Sequence, residues 1–192
     1  MVVSCGDLPF DYLEYVVTVA NVPLLFVPGN HDPAVRPAPD GVVVGALPDP
    51  SLAFRDPPRA AMPEGCENLD GRVVRVAGLR FGGLGGSIRY SPGPNQYTQG
   101  AMRWRAFKLG LRATLWGGLD VLVTHGAPLG VSDEDDPPHV GFAAFHRLVS
   151  RTRPAILVHG HIHPHGQARA DHAVGETRVV NVIPYKLLEV RR

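Results

Sequence analysis

Four short apolar runs in this chain each end in a turn of polar residues, and this repeated arrangement constrains the fold more than any other feature. The runs with their turns are VVSCGD, LLFVPGNHD, VLVTHG and ILVHGHIH. Short continuous apolar runs are typical of strands that are buried on both faces of an α/β sheet. Because the carboxyl ends of such strands lie along one edge of the sheet, we expect the four polar turns to converge there.

The segments between these runs favour helices that alternate with strands. Apolar residues recur at helical spacing in FDYLEYVVTVA, in TQGAMRWRAFKLGLRATLW with Thr98 as N-cap, and in HVGFAAFHRLVS. The segments RVVRVAG and LRFGGLGG predict paired strands, and the tail ETRVVNVIPYKLLEV predicts two antiparallel strands. Residues 33–71 are rich in Pro and Gly and predict a long loop with one short strand at Val42–Ala46.

Length and composition narrow the class of protein. A chain of 192 residues favours a single domain, which we place over residues 1–192. Its formal net charge of +1 gives no support to a nonspecific nucleic-acid or membrane binder. Two cysteines do not make a disulfide framework, and neither a membrane-length apolar run nor a signal peptide is present. We therefore expect a cytoplasmic protein that does not bind membranes.

The side chains in the four turns are of the types that bind divalent transition metals. They comprise a carboxylate, a carboxamide and imidazoles, carried by Asp7, Asn30, His31, His125, His161 and His163. In an extended segment, His161 and His163 point to the same side while Ile162 turns into the core. The sequence therefore predicts a metal centre at the common edge of the strands.

The ordered set GD, GNHD, TH and GHxH resembles the calcineurin-like metallophosphoesterase superfamily over residues 6–163. Each motif follows an apolar run, which is the structural context that it requires. The resemblance implies an α/β fold in which two packed mixed β-sheets are flanked by helices as a four-layer sandwich, here without the first strand. It also implies hydrolysis of a small-molecule phosphoester, for which we favour a phosphodiesterase.

The resemblance also implies a ligand set for two divalent metal ions, Mn, Fe or Zn. Asp7 would bridge the two ions, and Asn30, His125 and His161 would complete one site. His163 would bind the other ion. In the family chemistry, a metal-activated water attacks phosphorus in line.

Further residues are candidates for proton transfer and substrate binding. The resemblance makes His31 the acid beside the substrate and Asp32 its partner. Arg89, after GGLGGS, is either a phosphate ligand or an ordinary surface arginine. His139, in the segment that follows THG, is either a substrate or gating residue or a residue of no special role.

The segment TQGAMRWRAFKLGLRATLW mixes basic and aromatic residues, which nucleic-acid-binding proteins also do. Trp104, Phe107, Leu111 and Leu115 follow helical spacing, so we favour a packed face with its charges in solvent. A nuclease subunit bound to DNA would need a basic face, for which the net charge gives little support.

One departure from the family pattern leaves alternatives open. The family's first motif, an Asp-x-His pair, has no counterpart before Asp7 in this sequence. We expect an in-frame extension upstream of Met1 that carries an apolar strand and this motif. The alternative is a shortened protein with one firmly bound metal, serving either as an enzyme or as a non-catalytic binding or scaffold protein.

Overall fold

This computed structural model describes residues 1–34, 62–163 and 170–190, and most of its strands lie at the predicted places. A strand at Cys66–Asn68 lies within the segment that was predicted to be a loop, and the short strands Ser87–Ile88 and Gln96–Tyr97 were not predicted. The strands are β1 (Val2–Ser4), β2 (Leu24–Phe26), β3 (Cys66–Asn68), β4 (Val73–Val76), β5 (Leu79–Leu84), β6 (Ser87–Ile88), β7 (Gln96–Tyr97), β8 (Val121–Thr124), β9 (Ile156–His159), β10 (His172–Val174) and β11 (Thr177–Asn181). The helices are α1 (Phe10–Ala20), α2 (Gln99–Leu115) and α3 (Ala144–Thr152). The strand expected at Val42–Ala46 lies outside the described residues.

The described strands form two main sheets and one small one. The first sheet has the order β1-β2-β3 and is parallel throughout. The second has the order β10-β11-β9-β8-β5-β4, with parallel central strands and an antiparallel strand at each edge. Strands β6 and β7 form a separate parallel pair. Strands β1, β2, β8 and β9 of the two main sheets end in the four polar turns predicted from the sequence.

The two main sheets pack face to face, and helices cover their outer faces. Successive strand residues point to opposite faces of a sheet. Leu25 therefore joins the core between the sheets, whereas Leu24 and Phe26 pack with α1 on the other side. In the second sheet, Val121 and Val123 belong to the shared core, while the outward face packs against α2 and α3. This helix–sheet–sheet–helix sandwich confirms the predicted fold class.

Helix α2 packs through a different face from the one predicted. Its buried residues are Met102, Ala106, Leu109, Gly110 and Ala113. The residues expected to be packed are instead exposed: Trp104, Phe107, Leu111 and Leu115. Small residues let α3 approach closely, since a Cβ on Gly110 would lie 3.2 Å from Cδ of Arg151. The expectation of a packed aromatic face is therefore wrong, because both faces of this helix are apolar and only the one with small residues fits.

Two local expectations have opposite outcomes. Thr98 caps α2 as predicted, since its hydroxyl accepts a hydrogen bond from the amide of Ala101 at 3.1 Å. The tail differs from prediction, because β11 pairs antiparallel with the preceding β10 and residues 182–190 contain no strand. The turn between β10 and β11 uses Gly175 at φ 60°, a conformation that glycine adopts readily. No helix in residues 1–34, 62–163 or 170–190 is long and apolar enough to cross a bilayer.

Candidate metal centre

Four side chains from the ends of β1, β2, β8 and β9 meet around one point. Nε2 of His125 lies 2.8 Å from Oδ1 of Asn30, 3.1 Å from Nδ1 of His161 and 3.3 Å from Oδ2 of Asp7. Asp7 and Asn30 follow strands of the first sheet, and the two histidines follow strands of the second. The packing of the two sheets therefore brings together side chains that are far apart in sequence.

Backbone carbonyls fix the tautomers of the two histidines. Nδ1 of His125 lies 2.7 Å from the carbonyl oxygen of Cys5, and Nε2 of His161 lies 2.8 Å from that of Pro138. A carbonyl oxygen only accepts hydrogen bonds, so these two nitrogens carry the N–H of their rings. In the neutral form of each ring, the facing nitrogens, Nε2 of His125 and Nδ1 of His161, are therefore the ones that carry a lone pair.

The side-chain amide of Asn30 also presents an acceptor atom to the centre. Its Nδ2 donates to the hydroxyl of Tyr90 at 3.0 Å, and its Oδ1 faces Nε2 of His125. Two oxygen and two nitrogen acceptors therefore face one another, with the carboxylate of Asp7 as the charged member. Acceptors at such distances repel one another unless a cation lies among them. A mixed set of oxygen and imidazole ligands fits a divalent transition metal.

The electrostatics of these groups suit a metal ligand set. Burial lowers the pKa of His161 to about 4, and the neighbouring His125 adds to this effect, so the ring is neutral at pH 7. Burial raises the pKa of Asp7, but the His125 and His31 rings in their protonated forms and the amide of His31 outweigh it and hold that pKa below its ordinary value. Burial raises the pKa of Cys5 to about 12, so this residue contributes its carbonyl and not a thiolate.

The turns that carry Asp7 and Asn30 are tied to each other through Asp32. Its Oδ2 accepts hydrogen bonds from the amides of Asp7 at 3.0 Å and Gly29 at 2.7 Å. Gly6 has φ 95°, and a Cβ there would lie 2.7 Å from Cα of Gly29 and 2.7 Å from Nδ1 of His125. Glycine is therefore required for this close approach of the two turns.

His31 lies on the solvent side of the turn that carries Asn30. Its amide donates to Oδ1 of Asp7 at 2.9 Å, and its side chain is exposed. Asp32 was predicted to be the partner of the His31 ring, but its carboxylate accepts the two backbone hydrogen bonds from Asp7 and Gly29. The structure thus places Asp32 where it holds the backbone of the turns.

His163 is the predicted ligand that does not join the convergent group. Among the described residues, the side chains of Asp7, His125 and His161 lie close enough to share one ion. Strand β9 ends at His159 and His161 has φ 64°, so the segment is not extended there. The expectation that alternation aims both histidines at one cluster is therefore wrong. Ile162 is fully buried as predicted, whereas His163 is exposed.

Of the two candidate substrate residues, His139 lies against the centre, whereas Arg89 is related to it through its chain neighbour Tyr90. The His139 ring packs against His161 with centroids 5.0 Å apart, and its Nδ1 lies 2.7 Å from Oδ2 of Asp136. Arg89 is exposed, and its Nη2 lies 3.5 Å from the carbonyl oxygen of Gln96. Arg89 directly precedes Tyr90 in the chain, which binds Asn30.

Sequence reasoning missed the residues that orient the ligands. Tyr90, the carbonyls of Cys5 and Pro138, and Asn95 all act on the predicted residues. Nδ2 of Asn95 donates to the carbonyls of Gly29 at 2.9 Å and Asp32 at 3.0 Å. Backbone carbonyls leave no signal in side-chain patterns. The one available signal was the position of Tyr90 next to Arg89, after a glycine-rich strand end.

Comparison with known proteins supports the same fold and family. One crystal structure matches with a TM-score of 0.57 and 19% identity, covering 90% of this chain and 62% of its own. The crystal structure of TT1561 of Thermus thermophilus matches with a TM-score of 0.52 and 15% identity, covering 90% of this chain and 68% of its own. The chain thus spans 62% of the first of these structures, and identities this low show a shared fold alone.

The search of curated proteins found no significant match. The sequence profile described as calcineurin-like phosphoesterase matches residues 2–165, which hold the motif set and the convergent side chains. This match covers most of the 192 residues. The chain belongs to the calcineurin-like phosphoesterase family.

Proposed function

We propose that this chain is a metal-dependent phosphodiesterase that acts on small-molecule phosphoesters. The observation that carries the proposal is the convergence of acceptors on Nε2 of His125, with Asn30, His161 and Asp7 all within 3.3 Å. A scaffold has no need for two histidines whose lone pairs face each other inside a folded core. Membership of a phosphoesterase family supports the same chemistry.

The residues of the centre would hold one divalent ion through Asp7, Asn30, His125 and His161. Mn, Fe and Zn all accept such a mixture of oxygen and imidazole nitrogen ligands. We assign His163, together with Asp7, to a second ion, since His163 follows His161 in the same motif. When bound, such ions supply Lewis-acid polarisation of the phosphoryl group and a water-derived nucleophile at neutral pH.

The protein's own contribution to proton transfer is assigned to His31. Its exposed side chain directly follows Asn30 in the chain, and its amide is anchored to the Asp7 carboxylate. An imidazole in this place is suited to donate a proton to the oxygen of the leaving group. Asp32 supports this role indirectly, because it fixes the backbone of the turn that carries His31.

We assign substrate binding to His139, which packs against His161, and to Arg89, which directly precedes Tyr90 in the chain. Arg89 presents an exposed guanidinium beside Tyr90, and guanidinium groups bind phosphate oxygens with good geometry. The ring of His139 packs on His161, and Asp136 holds it there. In this assignment, a phosphodiester at the centre contacts the imidazole of His139, and its phosphate oxygens are bound by Arg89.

The test is turnover of bis(4-nitrophenyl) phosphate and of 4-nitrophenyl phosphate by the purified chain. The protein is stripped with a chelator and reloaded with Mn²⁺, and its metal content is measured on the same sample. We expect Mn²⁺-dependent release of nitrophenol, faster from the diester than from the monoester. A metal-loaded protein that hydrolyses neither compound contradicts the proposal and supports the non-catalytic scaffold. Faster hydrolysis of the monoester would overturn the diester preference alone.

A further inference from the structure

The outer face of α2 carries a continuous apolar seam. It consists of Trp104, Phe107, Leu111 and Leu115. Trp104 is 59% exposed and Leu115 is 88% exposed, and the rings of Trp104 and Phe107 stack on each other at 5.6 Å. At roughly 100° per residue, the four side chains span an arc of about 80°, opposite the buried face of the helix. Four large apolar side chains are thus exposed along the outer face of α2, opposite the face that packs on the core.

The charged residues within α2 and α3 are all cations, of which Arg105 is paired with Asp70. Helices α2 and α3 contain no Asp or Glu. Their cations are Arg103, Arg105, Lys108, Arg112, Arg147 and Arg151. Because the formal net charge of the whole chain is only +1, the remainder of the chain carries an excess of negative charge. The helical layer is therefore a basic surface that the overall composition conceals.

We propose that the outer face of α2 binds an acidic amphipathic helix of a partner protein, packed lengthwise along the seam. Spacings of three and four residues from Trp104 to Phe107 to Leu111 are those of the a and d positions in paired helices. Arg103 and Lys108 then occupy the flanking g and e positions, where charge selects the partner. The helix is about 25 Å long, and the seam from Trp104 to Leu115 gives the partner about 17 Å of contact.

The same features disfavour the other possible occupants. A second copy would set an all-basic helix against another all-basic helix, and like charges across an interface cost free energy. A helix that lies in a membrane interface presents a wider apolar face than an a/d seam does. A single-stranded nucleic acid stacks its bases on aromatic rings, but Trp104 and Phe107 already stack on each other and leucines continue the seam.

Tryptophan fluorescence reports binding directly, because Trp104 and Trp116 are the two tryptophans of the chain and both are exposed. The probe is a synthetic helical peptide of about three heptads, with Leu at a and d and Glu at e and g. The titration uses the full chain carrying Trp116→Phe, so that emission comes from Trp104. We expect a saturable blue shift that weakens as salt concentration rises. A matched peptide with Lys in place of Glu should give no shift.

Surface variants test whether the peptide binds to this seam or nonspecifically to exposed apolar surface. The double variant Phe107→Ser, Leu111→Ser and the single variant Lys108→Glu should each weaken binding of the acidic peptide, on the order of tenfold or more. The control is Tyr15→Ser, which removes an exposed aromatic ring from α1 and should leave binding unchanged. Circular dichroism of each variant checks that the fold is retained.

Four results would overturn the proposal. The first is no shift with the acidic peptide at concentrations up to about 1 mM, and the second is equal binding of the Lys peptide. The third is a preference for phosphatidylserine vesicles or a single-stranded oligonucleotide over the peptide, which assigns the seam to those partners. The fourth is a dimer in light scattering that Phe107→Ser, Leu111→Ser converts to a monomer, which assigns it to a second copy. None of these readouts depends on phosphoesterase activity.

Discussion

Tyr90 and Asn30 form a side-chain pair in which Nδ2 of Asn30 donates to the Tyr90 hydroxyl at 3.0 Å. This bond and the contact of Oδ1 with Nε2 of His125 at 2.8 Å together hold the Asn30 side chain at the centre. Without the bond to Tyr90, the amide is free to rotate and present its NH₂ group to the centre, where a donor is of no use to a cation. Tyr90 is therefore a positioning residue for the metal ligands.

Tyr90→Phe should weaken Mn²⁺ binding by about 10-fold to 100-fold, the usual effect of removing a group that orients a metal ligand. The measurement is calorimetric titration of the chelator-stripped protein with Mn²⁺. Tyr15→Phe, on the exposed side of α1, removes an equivalent hydroxyl and should leave the affinity unchanged. Equal affinities for Tyr90→Phe and the unmodified protein would show that the Asn30 amide is held by other contacts.

His161→Ala should lower the metal content of the protein, because it removes one of the two imidazole nitrogens that face the centre. Metal analysis by mass spectrometry after dialysis against limiting Mn²⁺ measures this loss. His172→Ala changes an exposed histidine on β10 and serves as the matched control. If both variants retain the same amount of metal, the ligand role of His161 is wrong.

His31→Ala should reduce kcat for the aryl phosphodiester by about 10²-fold to 10⁴-fold, as expected for the loss of one acid–base group. Its metal content should stay at the level of the unmodified protein, since the amide of His31 holds Asp7 whatever the side chain. This split between rate and metal content distinguishes His31 from His161. A parallel loss of metal in His31→Ala would make His31 a ligand.

Arg105→Met should lower the free energy of unfolding by about 2 kcal/mol, since charged hydrogen bonds are lost. The guanidinium contacts both carboxylate oxygens of Asp70 at 2.5 and 2.6 Å and the carbonyl of Gly85 at 3.0 Å. It also lies over the ring of Tyr97. Urea unfolding of this variant is compared with Arg103→Met, an exposed position on the same helix. Equal destabilisation of the two variants would contradict the anchoring role of Arg105.

The ends of the strands could be predicted because an apolar run and the polar turn after it are both visible in a short stretch of sequence. A run such as LLFV is apolar at every position, since Leu24 faces α1 and Leu25 faces the second sheet. The same reasoning predicted that the residues of these turns lie at one edge of the sheets. They are Asp7, Asn30, His125 and His161. Helical spacing could not show which face of α2 is buried, because Trp104 and Leu109 are both apolar. Only tertiary packing determines that Leu109 is buried and Trp104 is exposed.

The remaining differences come from backbone geometry that side-chain patterns do not encode. The left-handed conformation of His161 breaks the alternation that would have paired it with His163. The tautomers of His125 and His161 depend on carbonyls of Cys5 and Pro138, which any residue type could have supplied. The sequence therefore predicted which types of ligand are present, but not how those ligands are oriented.

The separation of the ligands along the chain has a consequence for the order of assembly. Asp7 and Asn30 follow strands of the first sheet and precede every strand of the second, whereas His161 follows β9. A nascent chain on the ribosome cannot complete the centre until His161 has emerged and the two sheets have docked. Metal uptake during synthesis therefore marks the end of folding and not its beginning, and an ion bound there joins two halves of the polypeptide that were made at different times.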